Sequence, residues 1–238
     1  MSFVFANSLG DDATSDRINQ GKFAFTDAQI NQMINDSEMK ITEKDISRMA
    51  NYNQMTADYV NITPFSSGGK TLSITLYQQP TPTTCGPTSA QMVLKFLTGT
   101  KYSIDDLISI EGASADAVAA LLNKKLGTSK YTYTNVSNNV NALFNNTIYS
   151  IDKSIPVIYN ILPSKTLLPN YASYTGSVST GHYIVGYGYS WGVSGTAAQS
   201  TVYYADPHYS TPYGKYQTTA QNMSQVVTNR NGYMVTAK

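Results

Sequence analysis

Residues 79–97 read Gln79-Pro80-Thr81-Pro82-Thr83-Thr84-Cys85-Gly86-Pro87-Thr88-Ser89-Ala90-Gln91-Met92-Val93-Leu94-Lys95-Phe96-Leu97. The first six form a turn, because Pro80 and Pro82 fix their own φ and withhold two backbone donors. A helix follows from Cys85. Ala90, Met92, Val93, Leu94, Phe96 and Leu97 cover most of its circumference, the mark of a helix buried on nearly all sides. Pro87 falls in the first turn, where its missing N–H costs nothing. Cys85 therefore stands at the N-terminus of a buried helix, where free amide N–H groups and the helix dipole stabilise an anion and a thiolate becomes accessible near neutral pH. A lone cysteine is more commonly an inert core residue, so the choice depends on what else reaches it.

Cysteine chemistry needs a base, and the chain has two histidines, His182 and His208. His182 opens the apolar run His182-Tyr183-Ile184-Val185-Gly186-Tyr187, a strand mouth where rigid backbone holds the side chain. His208 sits in a Pro/Tyr/Ser loop without strand support and stands behind His182 as the alternative base. The next strand ends in Tyr204-Ala205-Asp206-Pro207. Two antiparallel neighbours joined by the Trp191–Gln199 loop bring Asp206 beside His182, where a carboxylate fixes the imidazole tautomer and stabilises its charged form. The roles that follow are Cys85 as nucleophile, His182 as base and then acid, and Asp206 as orienter. Gln79, six residues before Cys85, can donate an amide N–H to an oxyanion together with the Cys85 backbone N–H. Gln78 competes for that place, and the strand register favours Gln79.

Whole-chain properties narrow the classes. With one cysteine in 238 residues there is no internal disulfide framework and no multi-cysteine zinc site, and two histidines leave little for a metal cluster, so no cofactor is expected. A chain of this length buries a sufficient core without such staples. No apolar run reaches the roughly 18 residues of a membrane span. The net charge of +1 is balanced, which argues against a nucleic-acid partner. Only 13% of residues are charged, against about 25% in an average soluble domain. Ser, Thr, Asn and 19 Tyr carry the solubility instead, and we read a secreted or cell-surface protein.

Along the chain, a helix over about residues 26–39 and a second from Thr42 precede Pro64 and the linker Ser66-Ser67-Gly68-Gly69. Residues 1–69 are thus an N-terminal helical extension, and 70–238 a second domain. Thr71–Gln78 alternates as a strand. Ser103 and Ser114 cap two further helices, the second ending at Gly127, and Val136, Val140, Leu143 and Phe144 suggest another. Strands are expected over Ile155–Leu162, Gly181–Ser190, Ser200–Asp206 and Gly232–Ala237, with a helix from about Thr218 to Val227. Helices first and antiparallel strands afterwards give an α+β fold.

Three segments together carry a family resemblance. Gln79…Cys85-Gly86-Pro87-Thr88-Ser89-Ala90-Gln91-Met92-Val93-Leu94 resembles the nucleophile motif of the C39-like cysteine peptidases, a papain-like branch. Gly181-His182-Tyr183-Ile184-Val185-Gly186-Tyr187 and Tyr204-Ala205-Asp206-Pro207 resemble that family's His and Asp motifs, in the same chain order. The resemblance spans about residues 70–238. It implies a papain-like fold, with a helix carrying the thiol packed on an antiparallel sheet carrying His and Asp, and hydrolysis of a peptide or protein substrate through an acyl-enzyme without a metal. The same residues also serve acyl transfer to an amine, as in transglutaminases or the phytochelatin-synthase branch, and papain-like folds occur as silent binding or toxin modules. Outside the motifs, residues 1–69 either pack on the domain as an extra layer or act as a pro-segment over the cleft. Gly68-Gly69 raises self-processing as a further expectation, since transporter-type relatives cut leader peptides after double glycine.

Overall fold

The computed structural model describes residues 68–191 and 196–238; both N-terminal helices expected from the sequence lie outside the described residues. The seven strands form one antiparallel sheet: β1 Gly68–Thr71, β2 Tyr131–Asn135, β3 Val157–Ile161, β4 His182–Trp191, β5 Thr201–Asp206, β6 Gly214–Thr219 and β7 Tyr233–Ala237. Their order is β2-β7-β3-β4-β5-β6, with β1 paired to the far half of β4. Four α-helices accompany them: α1 Cys85–Thr98, α2 Ala115–Leu126, α3 Val140–Asp152 and α4 Ala220–Arg230. The fold is α+β, as expected. Among the described residues no helix is long and apolar enough to cross a membrane.

Helix ends follow the chemistry of their sequence. Gly99 and Gly127 close α1 and α2 in the left-handed conformation, at φ 73 and 64, which a residue without Cβ adopts without strain. Asn139 and Thr219 cap α3 and α4 by accepting from the backbone N–H of Ala142 and Asn222. Ser103 caps a shorter element than expected. It exchanges hydrogen bonds with Asp106, but the turn it opens, Asp105–Ile110, is a 3-10 helix. The core lies where the sheet meets the helices: β3 is buried along its whole length, and Met92, Val93 and Leu94 of α1 are fully covered.

Three differences from the expected elements have physical reasons. Only Thr71 of the expected strand Thr71–Gln78 belongs to a ladder. Leu72 still donates its N–H to the Tyr187 carbonyl at 2.7 Å, and beyond it the chain turns away from β4. The alternation was real, because Leu72 and Ile74 are buried while Thr71, Ser73 and Thr75 are exposed, but it reports burial rather than pairing. Gly68 and Gly69, read as linker, form the start of β1 opposite Trp191 and Ser190, so the expected boundary at 69/70 cuts through a paired strand. A Cβ at Gly68 would stand 2.5 Å from the Trp191 ring, which gives this glycine a packing reason of its own. The edge strands β2 and β6 (Tyr-Thr-Tyr-Thr-Asn and Gly-Lys-Tyr-Gln-Thr-Thr) were missed, because they contain no aliphatic residue.

The densest point of the sheet is Gly186 on β4. A Cβ there would meet Val157 Cγ2 at 2.4 Å and the Tyr159 ring at 2.5 Å, both on fully buried side chains of β3. Gly186→Ala should therefore cost about 1–3 kcal/mol by overpacking. That is a fall in Tm of several degrees at roughly 2–4 °C per kcal/mol. A calorimetric Tm equal to that of the unmodified protein would remove the packing argument.

Candidate active site

α1 brings Cys85 to the sheet thiol first. Thr84 occupies the N-cap position but makes no side-chain cap hydrogen bond, so it does not take up the first-turn N–H groups. Gly86 allows the close approach: a Cβ on it would lie 2.9 Å from the Ile110 carbonyl oxygen. Ser89 Oγ then donates to the Tyr183 carbonyl at 3.1 Å, tying the second turn of α1 to β4 beside His182.

His182 and Asp206 meet across two neighbouring strands. β4 and β5 pair with Val185 opposite Ala205, which puts Asp206 level with Ile184 and His182 on the adjacent diagonal, on the same face. The result is a hydrogen bond of 2.8 Å between His182 Nε2 and Asp206 Oδ1. Nε2 is thereby committed to the carboxylate, and Nδ1 is the ring nitrogen left for the thiol.

Asp206 is fully buried, and four donors hold its two oxygens. Oδ1 accepts from His182 Nε2 and from the His208 backbone N–H at 2.9 Å; Oδ2 accepts from Asn170 Nδ2 and Tyr171 Oη, each at 2.9 Å. Asn170 is fixed in turn, donating to the Pro212 carbonyl at 3.0 Å and accepting from Tyr204 Oη at 2.7 Å. Burial and then the charge of Asp206 hold the Tyr171 and Tyr204 phenols protonated far above neutral pH, as hydrogen-bond donors. Sequence reading places none of Asn170, Tyr171 and Tyr204 at Asp206. Asn170 and Tyr171 lie in a 3-10 turn, Pro169–Tyr171, inside the segment read as an irregular loop; Pro169 before two polar residues was the one available signal.

The charge state follows from these contacts. Burial pushes the Cys85 thiol up, but the hydrogen bond and charge of His182 pull it down, helped by backbone hydrogen bonds with Tyr183 and Gly86, and the net position is below the ordinary thiol. For His182, burial pulls down while the charge and hydrogen bond of Asp206, followed by those of Cys85, push up, and the net position is well above ordinary histidine. The thiol is lowered and the imidazole raised, so each favours the charged form of the other, and their titration belongs to the pair.

Gln79 is 2% exposed, and its backbone N–H donates to the Pro207 carbonyl at 2.7 Å, next to Asp206. One amide hydrogen of its Nε2 is held by the Thr81 carbonyl at 2.8 Å, leaving the other free. Gln78 is exposed, so Gln79 is the glutamine of the site. A cleft of about 150 Å³ opens between Gln79, His182 and His208, walled by Tyr171, Tyr174 and Tyr209. Tyr171 and Tyr174 line the cleft, whereas Tyr183 is buried with its hydroxyl on the Ala113 carbonyl. Trp191 ends β4 nine residues from His182, roughly 30 Å away at strand rise.

The profile of the Peptidase_C39 like family matches residues 71–234. The chain belongs to this family. Solved structures of similar chains include a putative C39-like peptidase from Bacillus anthracis, 14% identical over 72% of this chain and 98% of that one, with a TM-score of 0.49. Another is the peptidase domain of Streptococcus ComA, a bi-functional ABC transporter involved in quorum sensing, at 17% identity, 68% and 96% coverage and TM-score 0.42. A third is a double glycine motif protease from an AMS/PCAT transporter in complex with the leader peptide, at 14%, 71% and 94%, and 0.40. A comparison with curated proteins finds no match. For this C39-like chain the thiol's ionisation is directly measurable, since Cys85 is its one cysteine. His182→Ala removes the largest of the influences that pull the thiol down and leaves only the Tyr183 and Gly86 backbone hydrogen bonds to oppose burial. The midpoint of iodoacetamide alkylation against pH should therefore rise relative to the unmodified protein. An unmoved midpoint would show that His182 does not set the thiolate.

Proposed function

We propose that this protein is a cysteine peptidase that cleaves a peptide or protein substrate through a thioester acyl-enzyme. The observation that carries the reading is the grouping at the N-terminus of α1: the charge of His182 acts on the Cys85 thiol, and His182 Nε2 is hydrogen-bonded to Asp206 Oδ1 at 2.8 Å. The Cys85 thiolate attacks the scissile carbonyl carbon, and the electron pair of the C=O bond moves to oxygen. The Gln79 amide and the Cys85 backbone N–H stabilise that oxyanion. As the carbonyl re-forms, the C–N bond breaks and the His182 imidazolium gives its proton to the departing amine. Water then attacks the thioester, His182 takes its proton, and the acid product leaves with the thiolate restored. Asp206, held by four donors, keeps the imidazole in one tautomer and stabilises its charged form.

The experiment is hydrolysis of a fluorescently labelled unfolded protein such as casein by the full chain. Cys85→Ala should abolish turnover, and Gln79→Ala should lower kcat by about 10²–10³, the usual cost of one oxyanion donor. Equal turnover by wild type and Cys85→Ala would remove the peptidase reading.

The reading includes action at the cell surface or beyond it, supported by the low charge. It includes residues 1–66 as an N-terminal extension that suppresses activity. A chain starting at Ser67, which keeps β1 whole, should then turn over the same substrate faster than the full chain. Equal rates together with equal Tm would leave the extension no role in the domain.

A further inference from the structure

The mechanism leaves one ionisable group of the cleft unused. His208 is 7% exposed, and its ring centroid lies 5.6 Å from that of His182. Aromatic rings enclose it: Tyr209 stacked at 4.5 Å, and Tyr171 and Tyr174 edge-on at 5.9 and 5.1 Å. Its Nδ1 accepts from the Ser210 backbone N–H at 3.0 Å and lies 3.1 Å from Ser210 Oγ. A backbone N–H can only donate, so Nδ1 must carry a lone pair, and the ring proton is on Nε2. The surroundings agree with a neutral ring, since burial and then the neighbouring His182 charge both hold it below the ordinary histidine value.

That Nε2–H has no acceptor among the described residues. Asp206, the nearest anion, already has four donors on its four lone-pair sites. Nor is Nε2 one of the sealed polar atoms without a partner, which are Gln79 Oε1 and Thr88 Oγ1. His208 lines the cleft, so the open side of the ring is the cleft side. Beside His182 the cleft is lined by uncharged residues whose Ser177, Thr180 and Tyr hydroxyls can rotate, whereas the His208 N–H is held in one direction by the bond to Nδ1.

We propose that His208 is a substrate-binding residue: a neutral imidazole locked in the Nε2–H tautomer, which donates a hydrogen bond to a backbone carbonyl of the peptide in the cleft. This rests on the peptidase reading, and the test separates the two. The chain has two histidines, so 15N-histidine NMR of the full protein at neutral pH gives two ring systems, assigned with His208→Gln. One should be an imidazolium, His182; the other should be neutral with Nδ1 hydrogen-bonded and a proton on Nε2. A charged ring or a proton on Nδ1 at His208 overturns the proposal.

The second arm compares Cys85 inactivation by a neutral tripeptidyl epoxide, which needs the peptide contact, with inactivation by iodoacetamide, which does not. The ratio of the two rates cancels any change in the thiolate. His208→Phe keeps a ring but no donor and should lower the ratio about three- to tenfold, the value of one lost neutral hydrogen bond. His208→Gln supplies an amide N–H and should recover most of it. Equal ratios in all three proteins overturn the proposal while leaving the peptidase reading intact. Iodoacetamide reacting with wild-type Cys85 no faster than with glutathione defeats the peptidase reading instead.

Discussion

A carboxylate sealed from water needs replacement for its hydration, and around Asp206 the fold supplies it. Removing such a charge from solvent costs several kcal/mol unless its lone pairs are met. Meeting them draws on three separate places in the chain: the mouth of β4, the turn after Pro207, and the Pro169–Tyr171 turn with both its polar residues, with Tyr204 behind Asn170. These segments are held together because none can withdraw without exposing a buried anion to unpaired surroundings. The site is stiff for that reason, and the Pro163–Thr180 segment, irregular in its backbone, is structurally committed at its middle.

The charge then passes outward by contact. Asp206 holds a proton on His182, the imidazolium holds the electron pair on Cys85, and the N-terminus of α1 accepts that negative end. Each element contributes through a feature that is poor for stability taken alone: a buried acid, a buried charged imidazole and an uncapped helix start. Together they alternate in sign, so that each charge is met by an opposite one beside it. Gly86 and Gly186 serve it from the packing side, one letting α1 come down on the Ile110 carbonyl and the other letting β4 sit against β3.

Much of this was legible from residue order. Cys85 before an apolar helix, His182 opening an apolar strand and Asp206 closing the next are local signals, and each survived because tertiary structure reinforced it. The strands lost were those whose apolar content is only Tyr and Thr, β2 and β6, where pairing with β7 and β5 and not hydrophobic burial makes the strand. The converse error came at Thr71–Gln78, where burial alternates without a partner strand. Asn170 and Tyr171 were illegible because their meaning is a contact 35 residues or more along the chain, with nothing local to announce it. The ring contacts that bring His208 to the same cleft as His182 have no sequence signature.

The pairing of β2 with β7 sets Tyr131 against Ala237, and the N–H of the final residue, Lys238, donates to Lys130 at 2.8 Å. β7 also forms the second neighbour of β3, the strand that supports the His182 half of β4. The central strand thus gains its second flank only by pairing with a segment far along the chain, and such long-range pairing meets its loop-closure entropy before its contacts form, so the sheet that carries His182 closes slowly.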